Sequence, residues 1–256
     1  RLGAFRDEAR VMGDPDLVRD YYRHIMAISE QTSREESVSL GFYIGRLFEI
    51  ARNQEGDAAL ENRAAILALG IYFGSWRVEQ MIGPVRTKEM LRHHRLISHV
   101  GLSGRRDLRL HFILSAALEI ASESGVTHAA GEFKELLDAE EGGSGFSFVD
   151  LAADRAGVRF AEMATDQATA EKIQHHLAEN YSEDQFFPEI KNLPEGLSKR
   201  VFEDHFGDLE SERYLALVRD VDACLSQLPA YTVGGVVPFR AGGCDIIYVV
   251  PEALLS

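Results

Sequence analysis

Between Ala58 and Phe73 the chain is apolar at nearly every position, the polar exceptions being Glu61, Asn62 and Arg63. A helix that is hydrophobic all round belongs inside a protein, so this stretch reads as a core helix that other elements must surround. Leu17 to Ser29 and Ser37 to Ala51 carry apolar residues at the three- and four-residue spacing of amphipathic helices. Gly83-Pro84 punctuates the chain, and a basic polar stretch runs to Gly104. Asp107 to Ser122, Thr127 to Ala139 and Ser147 to Ala164 then form a helical triplet, separated by Gly125 and by the Gly142-Gly143-Ser144-Gly145 turn. Thr169 to Asn180 and Ser211 to Leu228 close the helical part. Phe186 to Phe206, interrupted by Pro188, Pro194 and Gly196, is expected to wrap the surface. The fold class is therefore all-α: a single multi-helix globular domain over residues 1–230, with its motif core at 105–165. Residues 231–256 form a short β-like tail, in which Thr232-Val-Gly-Gly-Val-Val-Pro and Asp245-Ile-Ile-Tyr-Val-Val-Pro predict a small hairpin.

Bulk properties narrow the function classes. At 256 residues the chain is long enough to bury roughly three quarters of its unfolded surface. A formal charge of −14 argues against nucleic acid as a partner, because the acids repel a phosphate backbone. The densest basic segment, Lys88 to Arg106, lacks the interleaved aromatics of a nucleic-acid surface. The most apolar run, Ala64 to Trp76, falls short of the ~20 residues a transmembrane helix needs, so no transmembrane segment is expected in this chain. The sequence starts at Arg1 without a methionine or a visible leader, as expected of a processed or trimmed product. Cys224 and Cys244 are too few for a disulfide scaffold or a zinc cluster; one disulfide and two buried thiols are both open.

The segment that carries chemistry is Gly142-Gly-Ser-Gly-Phe-Ser-Phe-Val-Asp-Leu-Ala-Ala-Asp-Arg-Ala-Gly157. If Ser147 starts the helix, steps of about 100° per residue place Arg155, Arg159 and Glu162 on one side. Asp150 and Asp154 fall roughly opposite, among Ala153, Gly157, Ala161 and Ala164, whose small side chains invite another helix to approach. Ser147-Phe-Val-Asp150 also matches a capping box, which gives Asp150 a structural role. Asp154 has no such role, and an unpaired interior carboxylate is costly. It is expected to find a cation such as Lys134, Arg105 or Arg106, a hydrogen-bond donor or a metal, or else to protonate.

On the preceding helix His111 stacks between Asp107 and Ser115 at one-turn intervals. Either Asp107 simply hydrogen-bonds His111 at a helix start, or it orients a histidine base or metal ligand. Glu132, Lys134, Glu135 and Asp138 lie on the helix between these two. The stripe of Ala129, Phe133, Leu136 and Leu137 puts Glu132 and Glu135 on a solvated face, and Lys134 and Asp138 are spaced for an ion pair. Phosphate-loop, nucleophile-elbow, His-Glu-x-x-His and Cys-x-x-Cys patterns are absent from the sequence.

Asp107-Leu-Arg-Leu-His-Phe-Ile-Leu-Ser-Ala-Ala, Lys134-Glu135 with Asp138, and Gly143 through Gly157 together resemble a recurring bacterial pattern. It is similar to that of the YfiM-like group of predicted cell-envelope proteins and of larger bacterial proteins with the same core. The resemblance covers residues 60–228 at most and is specific over 107–157. It implies a periplasmic or cell-envelope location, with the cytoplasm as the alternative. It marks His111, Lys134, Glu135, Asp138, Asp150 and Asp154, and implies no activity.

Three functions follow as expectations. The first is a helical envelope-associated interaction or scaffold protein with a protein partner. In it His111, Lys134 and Asp154 form a buried polar network, with Asp107, Ser115, Asp138 and Ser147 as its structural members. The second is a metal-dependent hydrolase or metal-binding protein. His111, Asp150 and Asp154 would hold a divalent metal there, with Glu135 as base and Lys134 as electrostatic stabiliser. The third is carboxylate acid–base chemistry on glycans, which needs two acids about 5–9.5 Å apart beside an open groove.

Overall fold

Local capping chemistry sets where the helices begin. In the computed structural model, which describes residues 13–32, 37–92, 99–123 and 145–233, Asp14 accepts a hydrogen bond from the Asp16 amide at the start of α1 (Pro15–Gln31). Ser39 does the same for α2 (Leu40–Arg52), and Asp57 for α3 (Ala58–Leu69). α3 is the expected core helix, with Ala65, Leu67 and Ala68 fully buried. It does not run to Phe73 as a regular α-helix. From Gly70 to Gly74 it widens into a π-helical turn that ends where the Ser75 amide bonds the Gly70 carbonyl at 2.9 Å. The glycines let this turn sit close on its neighbour: a Cβ at Gly74 would come within 3.0 Å of Leu114.

A short helix, α4 (Arg77–Ile82), follows and had no signal in the sequence beyond Val78 and Ile82, which it buries. Two residues of parallel pairing join β1 (Val38–Ser39) to β2 (Val100–Gly101), with Val38 opposite Val100. α5 (Arg106–Glu123) and α6 (Phe148–Thr165) make the most extensive helix pair among the described residues. Gly157 permits this, because a Cβ there would overlap the carbonyl oxygen of Phe112. α7 (Ala170–Glu179) packs on α2, and α8 (Lys199–Phe206), α9 (Glu212–Leu225) and α10 (Pro229–Thr232) complete the described chain. All of these helices contribute to one continuous hydrophobic core, and the fold is all-α.

The segment from Phe186 to Phe206 departs from expectation. It contains α8 and buries Phe186, Phe187, Leu193 and Leu197, where a surface wrap was expected. Its prolines and glycine shape a clasp. Phe146 and Leu197 exchange backbone hydrogen bonds at 2.7 and 2.9 Å, and the Phe148 amide reaches the Pro194 carbonyl at 2.9 Å. Phe146, Phe148, Phe202, Phe206 and Tyr214 cluster around this point, with centroids of Phe146 and Phe202 at 4.5 Å. The amino end of α6 is thereby fixed in position.

The expected helix at Thr127–Ala139 and most of the tail at 231–256, with its hairpin, lie outside the described residues. Cys224 on α9 is buried and disulfide-bonded; the other cysteine of the chain, Cys244, also lies outside them. Among the described residues no helix is long and apolar enough to cross a membrane.

Candidate functional site

The site is built across the α5–α6 contact. α5 brings Asp107, His111 and Ser115 onto one face at one-turn intervals, and α6 brings Ser147, Asp150 and Asp154 to meet them. Ser147 caps α6 by accepting from the Asp150 amide at 3.1 Å, which fixes where the first turn places the Asp150 carboxylate.

Asp154 makes the closest contacts. Its Oδ1 accepts from the Ser115 hydroxyl at 2.7 Å and pairs with His111 Nδ1 at 3.1 Å. A carboxylate oxygen accepts, so in the tautomer that makes this bond His111 Nδ1 is the donor. The other ring nitrogen of His111, Nε2, faces Asp150 Oδ1 at 3.9 Å. The His111 side chain is 7% exposed, Asp150 18% and Asp154 31%, so the imidazole is the innermost of the three.

Asp150 Oδ1 is buried and makes no hydrogen bond among the described residues. Burial pushes its carboxyl above the ordinary Asp value, and the attraction of His111 and the Ser147 hydroxyl only partly offset this. Asp107 behaves in the opposite way. Burial raises it, but the Arg105 guanidinium, bonded to both its oxygens at 3.2 and 2.6 Å, outweighs burial and holds it below the usual range.

Several expected partnerships are rearranged. Arg105 pairs with Asp107 and, at 2.8 Å, with Glu195, and so does not neutralise Asp154. Asp107 accordingly turns to Arg105, and the hydrogen bonds that orient His111 from α6 come from Asp154. Asp154 also sits at the edge of the small-residue face. It shares a cavity with Arg155, Arg159 and Glu162, which helical geometry had placed on the far side. With one oxygen turned inward and the side chain still touching that space, its desolvation is only partial. Ala153, Gly157, Ala161 and Ala164 do form the buried small-residue face.

The expected three-ligand metal set is split by the imidazole. Asp154 and Asp150 approach opposite ring nitrogens, so they do not converge with His111 on one point. Among the described residues no group of three or more His, Cys, Asp or Glu side chains is placed to hold a metal ion. Lys134, Glu135 and Asp138 lie outside the described residues.

A second buried polar cluster lay in plain view as the exceptions in the core helix. Asn62, fully buried, donates to the carbonyls of Ala164 and Ala170 at 2.9 and 3.0 Å and accepts from Gln174 at 2.9 Å. Glu61 accepts from the Tyr21 hydroxyl at 2.7 Å. Asn62 thereby satisfies carbonyls at the junction of α6 and α7.

No family model, curated protein or solved structure matches the chain.

Proposed function

We propose that this chain is a helical interaction or scaffold protein of the bacterial cell envelope, in which the His111–Asp154–Ser115 cluster locks α5 against α6. One observation carries the reading: a single oxygen of Asp154 accepts from both polar side chains of the facing helix. Three polar residues of the motif, His111, Ser115 and Asp154, thus use one another as partners. Buried networks whose members satisfy each other serve to specify packing. The envelope location is supported by the sequence resemblance over 107–157 and by the disulfide at Cys224, since disulfides persist in oxidising compartments. The partner is a protein, with the exposed Trp76 as its most prominent apolar contact.

Divalent-metal binding is a second reading, favoured by Asp150 Oδ1, a buried oxygen without a hydrogen bond that faces His111 Nε2. In that arrangement Nε2 and Asp150 are the ligands, and Asp154 orients the imidazole from behind, as carboxylates commonly do at metal-bound histidines. Glu135 as base and Lys134 as stabiliser complete the hydrolytic version.

Metal content by mass spectrometry separates the two, on protein purified without an affinity tag and on its Asp154→Asn variant. The scaffold reading expects no metal and a lower melting temperature for the variant. Near-stoichiometric metal that disappears in a still-folded variant overturns it in favour of the metal site.

A further inference from the structure

The core helix carries a carboxylate inward in its first turn. Glu61 is 8% exposed, and its side chain lines a cavity of about 240 Å³ between α1, the carboxyl end of α2 and α3. Leu17 of α1 and Ile50 of α2 supply an apolar wall. The Tyr21 ring stands beside them, edge-on to the His24 ring at 6.1 Å.

The two oxygens of Glu61 are unequally committed. Oε2 accepts from the Tyr21 hydroxyl at 2.7 Å. Burial, and then the carboxylate itself, push the Tyr21 phenol above its ordinary value, so it stays a donor. No hydrogen bond among the described residues reaches Oε1. Gly56 keeps the space beside that oxygen open, because a Cβ there would overlap it.

No cation among the described residues is paired with Glu61. Arg23, the guanidinium that lines the cavity, pairs instead with Asp20, and both of those side chains are more than half exposed, so their charges cancel at the rim. A carboxylate held this far from water without a cation is costly.

Three features select the cation that fits. No group of three or more His, Cys, Asp or Glu side chains among the described residues is placed to hold a metal ion, so a bare metal would be under-coordinated here. With Oε2 held by Tyr21 a single oxygen remains. An ammonium needs only one acceptor, whereas a guanidinium draws its strength from a bidentate pair. The Leu17 and Ile50 wall calls for hydrocarbon behind the charge, and a volume below the ~300–1,000 Å³ of drug-sized sites keeps that hydrocarbon short.

From this we infer that the cavity binds a primary alkylammonium group, its nitrogen donating to Glu61 Oε1 and its alkyl chain lying on Leu17 and Ile50. Such a group comes from a free short amine or from a lysine side chain of another protein. The inference goes beyond the role proposed above for α5 and α6, since no residue of that cluster lines this cavity.

Calorimetric titration of the whole chain with n-butylammonium chloride at constant ionic strength tests it. Binding is expected in the millimolar range, as so small a ligand allows. It should weaken by about tenfold or more for n-butyltrimethylammonium, which keeps the charge but has no N–H to donate. Butanol, which has no charge, should give no heat. Glu61→Gln keeps an acceptor for Tyr21 and removes the charge, so it should lose about tenfold or more in affinity while its melting temperature reports that the core is intact. Nα-acetyl-lysine amide identifies the source. Affinity equal to that of butylammonium assigns the cavity to a protein lysine, and weaker binding assigns it to a free amine. Absence of heat with both ammonium ligands at tens of millimolar overturns the inference, as does equal affinity for the trimethylammonium compound. If Glu61→Gln does not fold, the ligand series on the unaltered protein still decides.

Discussion

Asp154 Oδ1 accepts from the Ser115 hydroxyl at 2.7 Å and from His111 Nδ1 at 3.1 Å, so one carboxylate oxygen ties two successive turns of α5 to the middle of α6. Removing it with Asp154→Ala strands both donors. Leaving buried donors unsatisfied costs on the order of 2–3 kcal/mol, and at roughly 2–4 °C per kcal/mol for a chain of this size the melting temperature should fall by about 4–12 °C. His111→Ala and Asp154→Ala should not add. A double-mutant cycle is expected to give a coupling of about 1 kcal/mol or more, and strictly additive losses would remove the basis for the lock.

Gly157 controls the same contact through the backbone. A methyl group there would overlap the carbonyl oxygen of Phe112, and main chain cannot rotate away as a side chain can. Gly157→Ala should therefore separate α5 from α6 and cost about 3 kcal/mol or more, at the upper end for overpacking. Circular dichroism with thermal melting is the check. A variant as stable as the parent would mean that the two helices are not held at this distance.

Helix content was legible because its signals are local: apolar period, capping residues and glycine punctuation. Ser147, Asp57 and Ser211 each cap the helix expected near them. The facing of His111 and Asp154 was only half legible. Periodicity put Asp154 toward the small-residue face, but which α5 residue meets it depends on the separation that Gly157 permits. Arg105 misled for a related reason. Its Glu195 partner comes from the clasp at 186–206, and that segment's prolines concealed both the clasp and the Phe202–Phe206 stripe of α8. Short α4 carries too few periodic positions to register at all.

Asn62 should matter more than its position in an apolar helix implies. Truncation to Ala removes the donor from the carbonyls of Ala164 and Ala170 and the acceptor from Gln174, all in a fully buried setting. A loss on the order of 3 kcal/mol is expected in chemical denaturation. Gln174→Ala, which gives up only the last of these bonds, should cost less. The reverse order would show that Gln174 anchors the cluster.

Asp150 makes a prediction about pH. Burial raises its carboxyl above the ordinary value, so the folded protein holds this proton more tightly than the unfolded chain. For such a group the favourable contribution is fully present below the unfolded value, about 3.9, and is lost as pH rises through the folded value. Once pH has risen through the folded value, the folded state carries a poorly solvated carboxylate with an oxygen that makes no hydrogen bond among the described residues. Asp150→Asn abolishes that charge. It should raise stability at pH 7, and the gain should shrink as pH falls and vanish below about 3.9, as followed by denaturant melts across the range. A gain independent of pH would place the effect in packing. Destabilisation at pH 7, together with loss of bound metal, would mean that Asp150 serves as a ligand with His111 Nε2 in place of the lock.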